Sequence, residues 1–161
     1  MNKLWAPWRK KFLTHPQPKG CIFCVKPKSR QDRKNLILER GKTVFSILNL
    51  YPYNNGHAMI APYRHLSSPD LMTIQEWSEL FSYLKRIKTA IDKLLKPQGY
   101  NMGMNVGRVA GAGFDKHVHF HLVPRWNGDT NFMPVVAKEK VISESLDTLR
   151  EKLVKHFHGF C

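Results

Sequence analysis

The sequence has 161 residues, a length that suits one ordinary domain. Its composition, 42% hydrophobic, 24% charged and 11% aromatic, excludes an intrinsically disordered or collagen-like chain. Lysine and arginine number 26 against 12 acidic residues, so the formal net charge is +14. Residues 1–34 contain ten basic residues and one acidic residue. This basic segment favours an anionic partner: a nucleic acid, an acidic membrane surface or a phosphorylated ligand.

The sequence also bears on cellular location. It contains no run of about eighteen apolar residues, so we predict no membrane-spanning helix. The first thirteen residues lack the apolar core and the small-residue cleavage site of a secretory signal. We therefore expect a cytoplasmic protein, in which Cys21, Cys24 and Cys161 are thiols or metal ligands rather than disulfide partners.

The amino-terminal half of the chain predicts a short antiparallel sheet. We expect residues 1–35, which carry the cysteine pair, to be largely irregular. Two β-prone runs, 36–38 and 43–48, are separated by a turn and predict a hairpin. Residues 57–62 predict a third strand that stops at its proline.

The remaining elements complete an α+β fold. Apolar residues recur every three or four positions over 72–95, which predicts a long helix that ends before Pro97. Residues 100–106 and 117–123 predict two further strands. A terminal helix is marked by Ile142, Leu146, Leu149, Leu153 and Phe157. Because no β-α-β alternation occurs, we predict one domain over 1–161 with an antiparallel sheet, one long helix and a carboxy-terminal helix.

The last predicted strand contains three alternating histidines. His117, His119 and His121 share one face of the strand, whereas the residues between them face the core. A row of three ionisable rings is poorly explained by packing. It is typical of a site that binds a metal or attacks an electrophile.

A second group of residues has metal-ligand spacing. Cys21 and Cys24 are separated by two residues, as in many zinc-binding pairs. With His65 and His117 they would form a closed Cys2His2 set, which predicts a structural Zn²⁺; the alternative is a reduced, buried cysteine pair. We expect no organic cofactor.

A glycine-bearing loop precedes the histidine strand. Gly111, Ala112 and Gly113 leave backbone N–H groups open to a ligand, and their small size lets a phosphate approach closely. Directly upstream of three imidazoles, this loop predicts a phosphate-binding site.

Two sequence blocks resemble the histidine triad family. The first is His-x-His-x-His over 117–121, and the second is Asn49-x-x-Pro-x-x-x-Gly-His57-x-x-x-x-Pro-x-x-His65. The segments 4–9 and 124–132 resemble the bacterial diadenosine tetraphosphate phosphorylase-like branch of that family. The similarity therefore extends over nearly the whole chain.

The resemblance implies a histidine triad fold, a homodimer and a nucleotidyl hydrolase or transferase that acts at an α-phosphate. Carried over by position, His119 is the nucleophile, His57 supports its pocket and His121 contacts phosphate. Asn49 corresponds to a ribose-binding residue, and Asn105 to a phosphate-binding residue. Many family members have a glutamine four residues before the first histidine of the triad, where this chain has a glycine, so backbone amides would replace that side-chain donor.

Two residues after the triad are further candidates for substrate binding. We expect Arg125 to hold distal phosphates and Trp126 to stack on a base, although Trp126 would equally suit core or dimer packing. The leading hypothesis is cleavage of dinucleoside polyphosphates through a nucleotidyl-histidine intermediate, with phosphate or water as the acceptor. Alternatives are a transferase resembling galactose-1-phosphate uridylyltransferase, an adenylate phosphoramidase, and a zinc-stabilised nucleic-acid-binding module. The triad disfavours the binding module, because such a module has no use for a nucleophile.

Overall fold

The structure is a computed structural model in which residues 20–111, 114–129 and 144–158 are described. Its helices and strands in chain order are α1 (Ile22–Lys28), α2 (Asp32–Asn35), β1 (Ile37–Arg40), β2 (Val44–Leu48), β3 (Ala58–Pro62), α3 (Ile74–Leu95), β4 (Gly99–Gly103), β5 (Phe120–Arg125) and α4 (Leu146–His158). Two single-turn 3-10 helices, Pro69–Leu71 and Arg108–Ala110, lie in the connections. The predicted α+β class is confirmed.

The five strands form one antiparallel sheet in the order β1-β2-β3-β5-β4. The position of β5 between β3 and β4 determines where the triad lies. Its His121 is opposite Met59 of β3 on one side and Gly103 of β4 on the other. Because Ala58, the first residue of β3, is opposite Leu122, the segment that leads into β3 comes beside the middle of β5, next to His121.

The long helix α3 covers one face of the sheet with a buried stripe formed by Leu80, Tyr83, Ile87, Ala90 and Ile91. It begins at Ile74 rather than Met72 because Thr73 is the N-cap, with an extended backbone. The Thr73 hydroxyl accepts from the Glu76 N–H, and the Glu76 carboxylate accepts from the Thr73 N–H. This capping box satisfies two backbone donors at the helix start.

The expectation of a largely irregular amino-terminal segment is wrong for its described part, because α1 and α2 occupy most of residues 20–35. Phe23, which is 1% exposed, anchors α1 in the core. The guanidinium of Arg40 donates to both carboxylate oxygens of Asp32 and to the Pro27 carbonyl, which joins both helices to β1. These contacts are distant in sequence, so local pattern did not reveal the helices. Residues 1–19 lie outside the described residues.

Strand β5 is shifted along the chain from its predicted position at 117–123. It begins at Phe120 and continues through Pro124 to Arg125. The strand tolerates Pro124 because pairing with β3 ends at Leu122, so no β3 carbonyl requires the missing N–H. On that side, the Asn54 side chain donates to the Pro124 carbonyl at 3.1 Å.

The last helix, α4, packs against α3 and β1 through buried Leu149, Leu153 and Phe157, which confirms the apolar pattern within it. The Arg150 side chain donates to the Ile37 carbonyl at 2.7 Å. Ile142, which also marked this helix, lies outside the described residues. Among the helices that the structure describes, none is long and apolar enough to cross a membrane.

Candidate active site

The imidazoles predicted to act on substrate meet at the start of β5. The ring centroids of His119 and His121 are 4.7 Å apart, and His57 Nε2 lies 2.9 Å from His121 Nδ1. His57 directly precedes β3, so antiparallel pairing of β3 with β5 brings it to the triad. Gly56 before it has φ +76°, and a Cβ there would lie 2.8 Å from the Leu95 side chain. Glycine is therefore required for the turn that delivers His57.

The hydrogen bond at Nδ1 of His119 fixes which nitrogen can attack. Nδ1 lies 2.8 Å from the His117 carbonyl, which can only accept, so Nδ1 carries the proton. Nε2 is then unprotonated, and the described residues provide it with no hydrogen-bond partner. A neutral imidazole in this tautomer is the form that can act as a nucleophile.

Burial also favours the neutral form of His119. The residue is 6% exposed, and this desolvation lowers the pKa of its imidazole below the usual 6.5, although the bond to the His117 carbonyl raises it in part. The ring is therefore neutral at pH 7. The fold and the burial favour the same protonation state.

The tautomers of His57 and His121 follow from a second set of donors. The Tyr53 backbone N–H donates to His57 Nδ1 at 3.1 Å, so that nitrogen is unprotonated. The Asn49 amide nitrogen lies 3.3 Å from the same atom and is oriented by its own carbonyl oxygen, which accepts from the Tyr51 N–H. His57 Nε2–H then donates to His121 Nδ1, which leaves the proton of neutral His121 on Nε2. His121 is thus fixed as a donor through Nε2.

The predicted metal ligands are brought together. The ligand atoms of Cys21, Cys24, His65 and His117 all lie within 4.8 Å of one another. Nδ1 of His117 is 3.2 Å from Cys21 Sγ, 3.5 Å from Cys24 Sγ and 3.2 Å from His65 Nδ1. Cys21 and Cys24 come from the start of α1, whereas His65 follows β3. This cluster could hold a metal ion.

His117 is prepared to ligate through Nδ1. Its Nε2 lies 2.9 Å from the Pro62 carbonyl, so Nε2 carries the proton and Nδ1 presents a lone pair to the cluster. Burial lowers the pKa of His117 to about 4, which keeps it neutral as a ligand must be. The geometry of the first triad residue therefore suits it to a cluster that could hold a metal ion.

Among the predicted substrate-binding residues, Asn49 lies beside the imidazoles through its contact with His57. Asn105 is half-buried in the β4–β5 connection, and its side chain has no hydrogen-bond partner among the described residues. Gly111 is exposed, with φ +86°, and nothing lies within 4 Å of where its Cβ would be. A ligand could therefore approach its Cα, but the Gly111 N–H already donates to the Arg108 carbonyl at 3.1 Å. Ala112 and Gly113 lie outside the described residues.

Arg125 and Trp126 are not brought to the imidazoles. Arg125 is four residues beyond His121, about 13 Å further along the strand. Its guanidinium donates to both carboxylate oxygens of Asp129 and to the Asn101 side chain. Trp126 Nε1 donates to the Leu95 carbonyl at the end of α3. Within the described residues, this pair lies at the opposite end of β5.

Sequence reasoning missed two residues that contact the imidazoles. Phe23, between the two cysteines, stacks on His119 with ring centroids 4.6 Å apart. Tyr53 stacks on His57 at 4.8 Å in addition to its backbone hydrogen bond. The only local signal was their position inside the two motifs.

Comparisons with known proteins show the family of this chain. A family model described as HIT domain matches residues 29–128. The chain is 35% identical to AP-4-A phosphorylase of Mycobacterium tuberculosis, over 95% of this chain and 83% of that protein. It is 30% identical to adenosine 5'-monophosphoramidase hnt1 of Schizosaccharomyces pombe, over 67% of this chain and 76% of that protein.

A solved structure is similar as well. The Zn-bound histidine triad family protein from Mycobacterium smegmatis superposes with a TM-score of 0.70 at 21% identity, over 88% of this chain and 95% of that one. The family match and the identities show that this chain belongs to the HIT domain family, the histidine triad family that its motifs indicated.

Proposed function

We propose that the protein cleaves dinucleoside polyphosphates at an α-phosphate through a nucleotidyl intermediate on His119. The observation that carries this proposal is the unprotonated Nε2 of His119, held in that tautomer by the His117 carbonyl. The identity to AP-4-A phosphorylase over nearly the whole chain supports the substrate class.

The proposed reaction has two displacements. Nε2 of His119 attacks the α-phosphorus, so a P–N bond forms while the bond to the bridging oxygen breaks; from diadenosine tetraphosphate the leaving group is ATP. The acceptor then breaks the P–N bond. Inorganic phosphate yields ADP, whereas water yields AMP. His119 keeps its proton on Nδ1, where the proton remains hydrogen-bonded to the His117 carbonyl.

Negative charge that develops on the phosphoryl oxygens requires donors that are already in position. The proposed donors are the His121 Nε2–H, the Asn105 amide and the backbone N–H groups of residues 112 and 113, because the Gly111 N–H already donates to the Arg108 carbonyl. Each donor of this kind is typically worth about 2.7 to 4 kcal/mol. Asn49 is proposed to bind the ribose, and its contact with His57 would connect ribose binding to the imidazole pair. Arg125 is proposed to hold distal phosphates, and Trp126 to stack on a base.

We propose that the Cys2His2 cluster holds Zn²⁺. Zinc bonds of about 2.0–2.1 Å to nitrogen and about 2.3 Å to sulfur give a tetrahedron with N–N edges near 3.3 Å and N–S edges near 3.5 Å. The 3.2 Å N–N separation and three N–S separations of 3.2 to 3.5 Å fit such a site, and all four ligand atoms lie within 4.8 Å of one another. With four protein ligands the ion would be structural: it would join α1, the loop after β3 and the first triad residue.

Elemental analysis tests the zinc proposal. Protein purified without added metal should contain about one zinc per chain, and Cys24→Ser should lower this content and the melting temperature together. Lys28→Ser, an exposed change on the same helix, is the matched control. The proposal would be contradicted if the wild-type protein contained no zinc as purified and also bound none when zinc was added.

The proposal includes a homodimer and a cytoplasmic location. Strand β4 pairs only with β5 among the described strands, so its other edge is open to a second copy. The cysteine ligands must remain reduced, which a cytoplasmic environment favours. Light scattering after gel filtration would measure the oligomeric state.

Product analysis with diadenosine tetraphosphate tests the activity and distinguishes the acceptors. With inorganic phosphate we expect ADP and ATP in equal amounts; if water is also an acceptor, AMP and ATP appear without phosphate. An adenosine phosphoramidate serves as the competing substrate, because one relative is a monophosphoramidase. If the protein cleaved the phosphoramidate but not diadenosine tetraphosphate, an adenylate phosphoramidase activity would replace the proposed one.

A further inference from the structure

Phe23 is the buried aromatic residue between the two cysteines of the metal cluster. It lies in α1, is 1% exposed, and its ring is near-parallel to the imidazole of His119, with a 28° interplanar angle and centroids 4.6 Å apart. The same ring lies 5.2 Å from that of His117. One residue therefore contacts both the proposed nucleophile and a metal-cluster residue.

The contacts around His119 restrict its imidazole in three directions. Nδ1 is held by the His117 carbonyl, His121 approaches edge-on at 4.7 Å, and Phe23 covers one face of the ring. The hydrogen bond alone permits the imidazole to rock about the Nδ1 axis. A flat partner at stacking distance removes that freedom and keeps water from the covered face.

We propose that Phe23 is a positioning residue, which sets the plane of the His119 imidazole so that Nε2 points at the α-phosphorus. This inference rests on the proposed function. Misplacement of a reacting atom by about 1 Å can cost a hundredfold in rate, so small rotations of the ring matter.

Phe23 also connects the metal cluster to the reaction. Its backbone lies between Cys21 and Cys24, whose Sγ atoms are 3.2 and 3.5 Å from His117 Nδ1. Fixing both cysteines fixes the one helical turn that carries the Phe23 ring. The cluster would thus hold the nucleophile in orientation through Phe23, in addition to stabilising the fold.

The test compares three variants with wild type. Phe23→Leu keeps an apolar side chain but removes the flat ring, and Phe23→Tyr restores the ring. Phe157→Leu is the matched control, because Phe157 is also a buried phenylalanine but lies on α4, where its ring is near the Arg86 guanidinium. Melting temperature, metal content and the single-turnover rate of nucleotidyl-enzyme formation are measured for each.

We expect Phe23→Leu to slow nucleotidyl transfer about tenfold or more with little change in KM. Phe23→Tyr should recover most of the rate, and Phe157→Leu should lower the melting temperature without slowing transfer. By NMR, the carbon-bound protons of His119 should lose the ring-current shift from Phe23 in Phe23→Leu alone, and removal of metal from wild type should move the same signals.

A purely structural role gives a different pattern. If Phe23→Leu and Phe157→Leu lose stability alike and transfer at the wild-type rate, or if the His119 signals are unchanged in Phe23→Leu, the inference is overturned. Failure of the proposed function is distinguishable, because wild type itself would then form no nucleotidyl-enzyme.

Discussion

At the scale of single residues, backbone groups select the tautomer of each imidazole that matters. The Pro62 carbonyl accepts a hydrogen bond from Nε2 of His117, and the His117 carbonyl accepts one from Nδ1 of His119. The remaining nitrogens, Nδ1 of His117 and Nε2 of His119, are left with lone pairs in two different environments. Two histidines only two residues apart are therefore suited to different tasks, one to metal ligation and the other to attack on phosphorus.

The pair formed by His57 and His121 yields a prediction. His57→Ala removes the N–H that fixes the tautomer of His121, so His121 Nε2 ceases to be a committed donor. We expect kcat with diadenosine tetraphosphate to fall about tenfold or more, equivalent to about 1.4 kcal/mol. His57→Gln retains an amide donor at a similar reach and should recover part of the loss. Equal rates for the two variants would contradict the tautomer argument.

At the scale of elements, α1 and the β3–β5 pair assemble the site from distant parts of the sequence. The cysteine pair lies at one end of α1, His65 follows β3, and the triad lies at the start of β5. The register of β3 on β5, with Met59 opposite His121, places the preceding His57 against the triad. A shift of one residue would turn His121 to the other face of the sheet.

The same elements show which features of the fold and the site could be predicted from the sequence. The periodicity of α3 and the alternation of the histidines are local, so the helix and the closeness of His119 to His121 could be predicted. The residue spacing also predicted that Cys21, Cys24, His65 and His117 lie together. The tautomers, the contact of Phe23 with His119 and the helices of the amino-terminal segment depend on contacts between distant residues, and local pattern contains no such information. The same holds for Pro124, which ended the predicted strand but lies within β5.

The start of α3 yields a prediction about stability. Glu76, 3% exposed, accepts from the Arg64 guanidinium through both oxygens at 2.7 Å and from the Thr73 N–H. The Arg64 hydrogen bonds chiefly lower the pKa of the Glu76 carboxyl to about 2 from 4.5. We expect Glu76→Gln to reduce the free energy of unfolding at pH 7 by about 2 kcal/mol.

The pH dependence of this effect has a definite sign. A carboxyl with a lowered pKa stabilises the folded state above its unfolded pKa, and that stability is lost as pH falls from about 4.5 towards 2. The difference between wild type and Glu76→Gln should therefore shrink over that interval in denaturant titrations. Glu151→Gln, which breaks an exposed pair with Arg33, should cost about 0.5 kcal/mol or less. If Glu76→Gln and Glu151→Gln lost the same free energy of unfolding, or if the effect of Glu76→Gln did not depend on pH, this explanation would be contradicted.

At the scale of the whole molecule, the charge distribution suits an anionic substrate. The net charge is +14, and exposed Lys28, Arg30 and Lys34 lie on or beside α1, which carries the cysteine pair, and α2. Long-range attraction raises the encounter rate with polyanions and is screened by salt. Nucleic acids would respond to the same field, so charge alone does not separate the two partners.

Salt dependence tests this electrostatic contribution. We expect kcat/KM for diadenosine tetraphosphate to fall roughly three- to tenfold when NaCl rises from low to near-molar concentration, with kcat nearly constant. Oligonucleotide binding measured over the same range is the comparison. Salt-sensitive oligonucleotide binding without nucleotide turnover would instead favour the nucleic-acid-binding alternative.

The most direct measurement for the central claim is identification of the residue that carries the nucleotidyl group. Wild-type protein is mixed with diadenosine tetraphosphate without inorganic phosphate, quenched within the first turnover under alkaline conditions that preserve the P–N bond, and digested for mass spectrometry. The account predicts an adenylyl group on His119, and a folded His119→Ala variant with neither adduct nor turnover. An adduct on another residue, or turnover by His119→Ala, would contradict it.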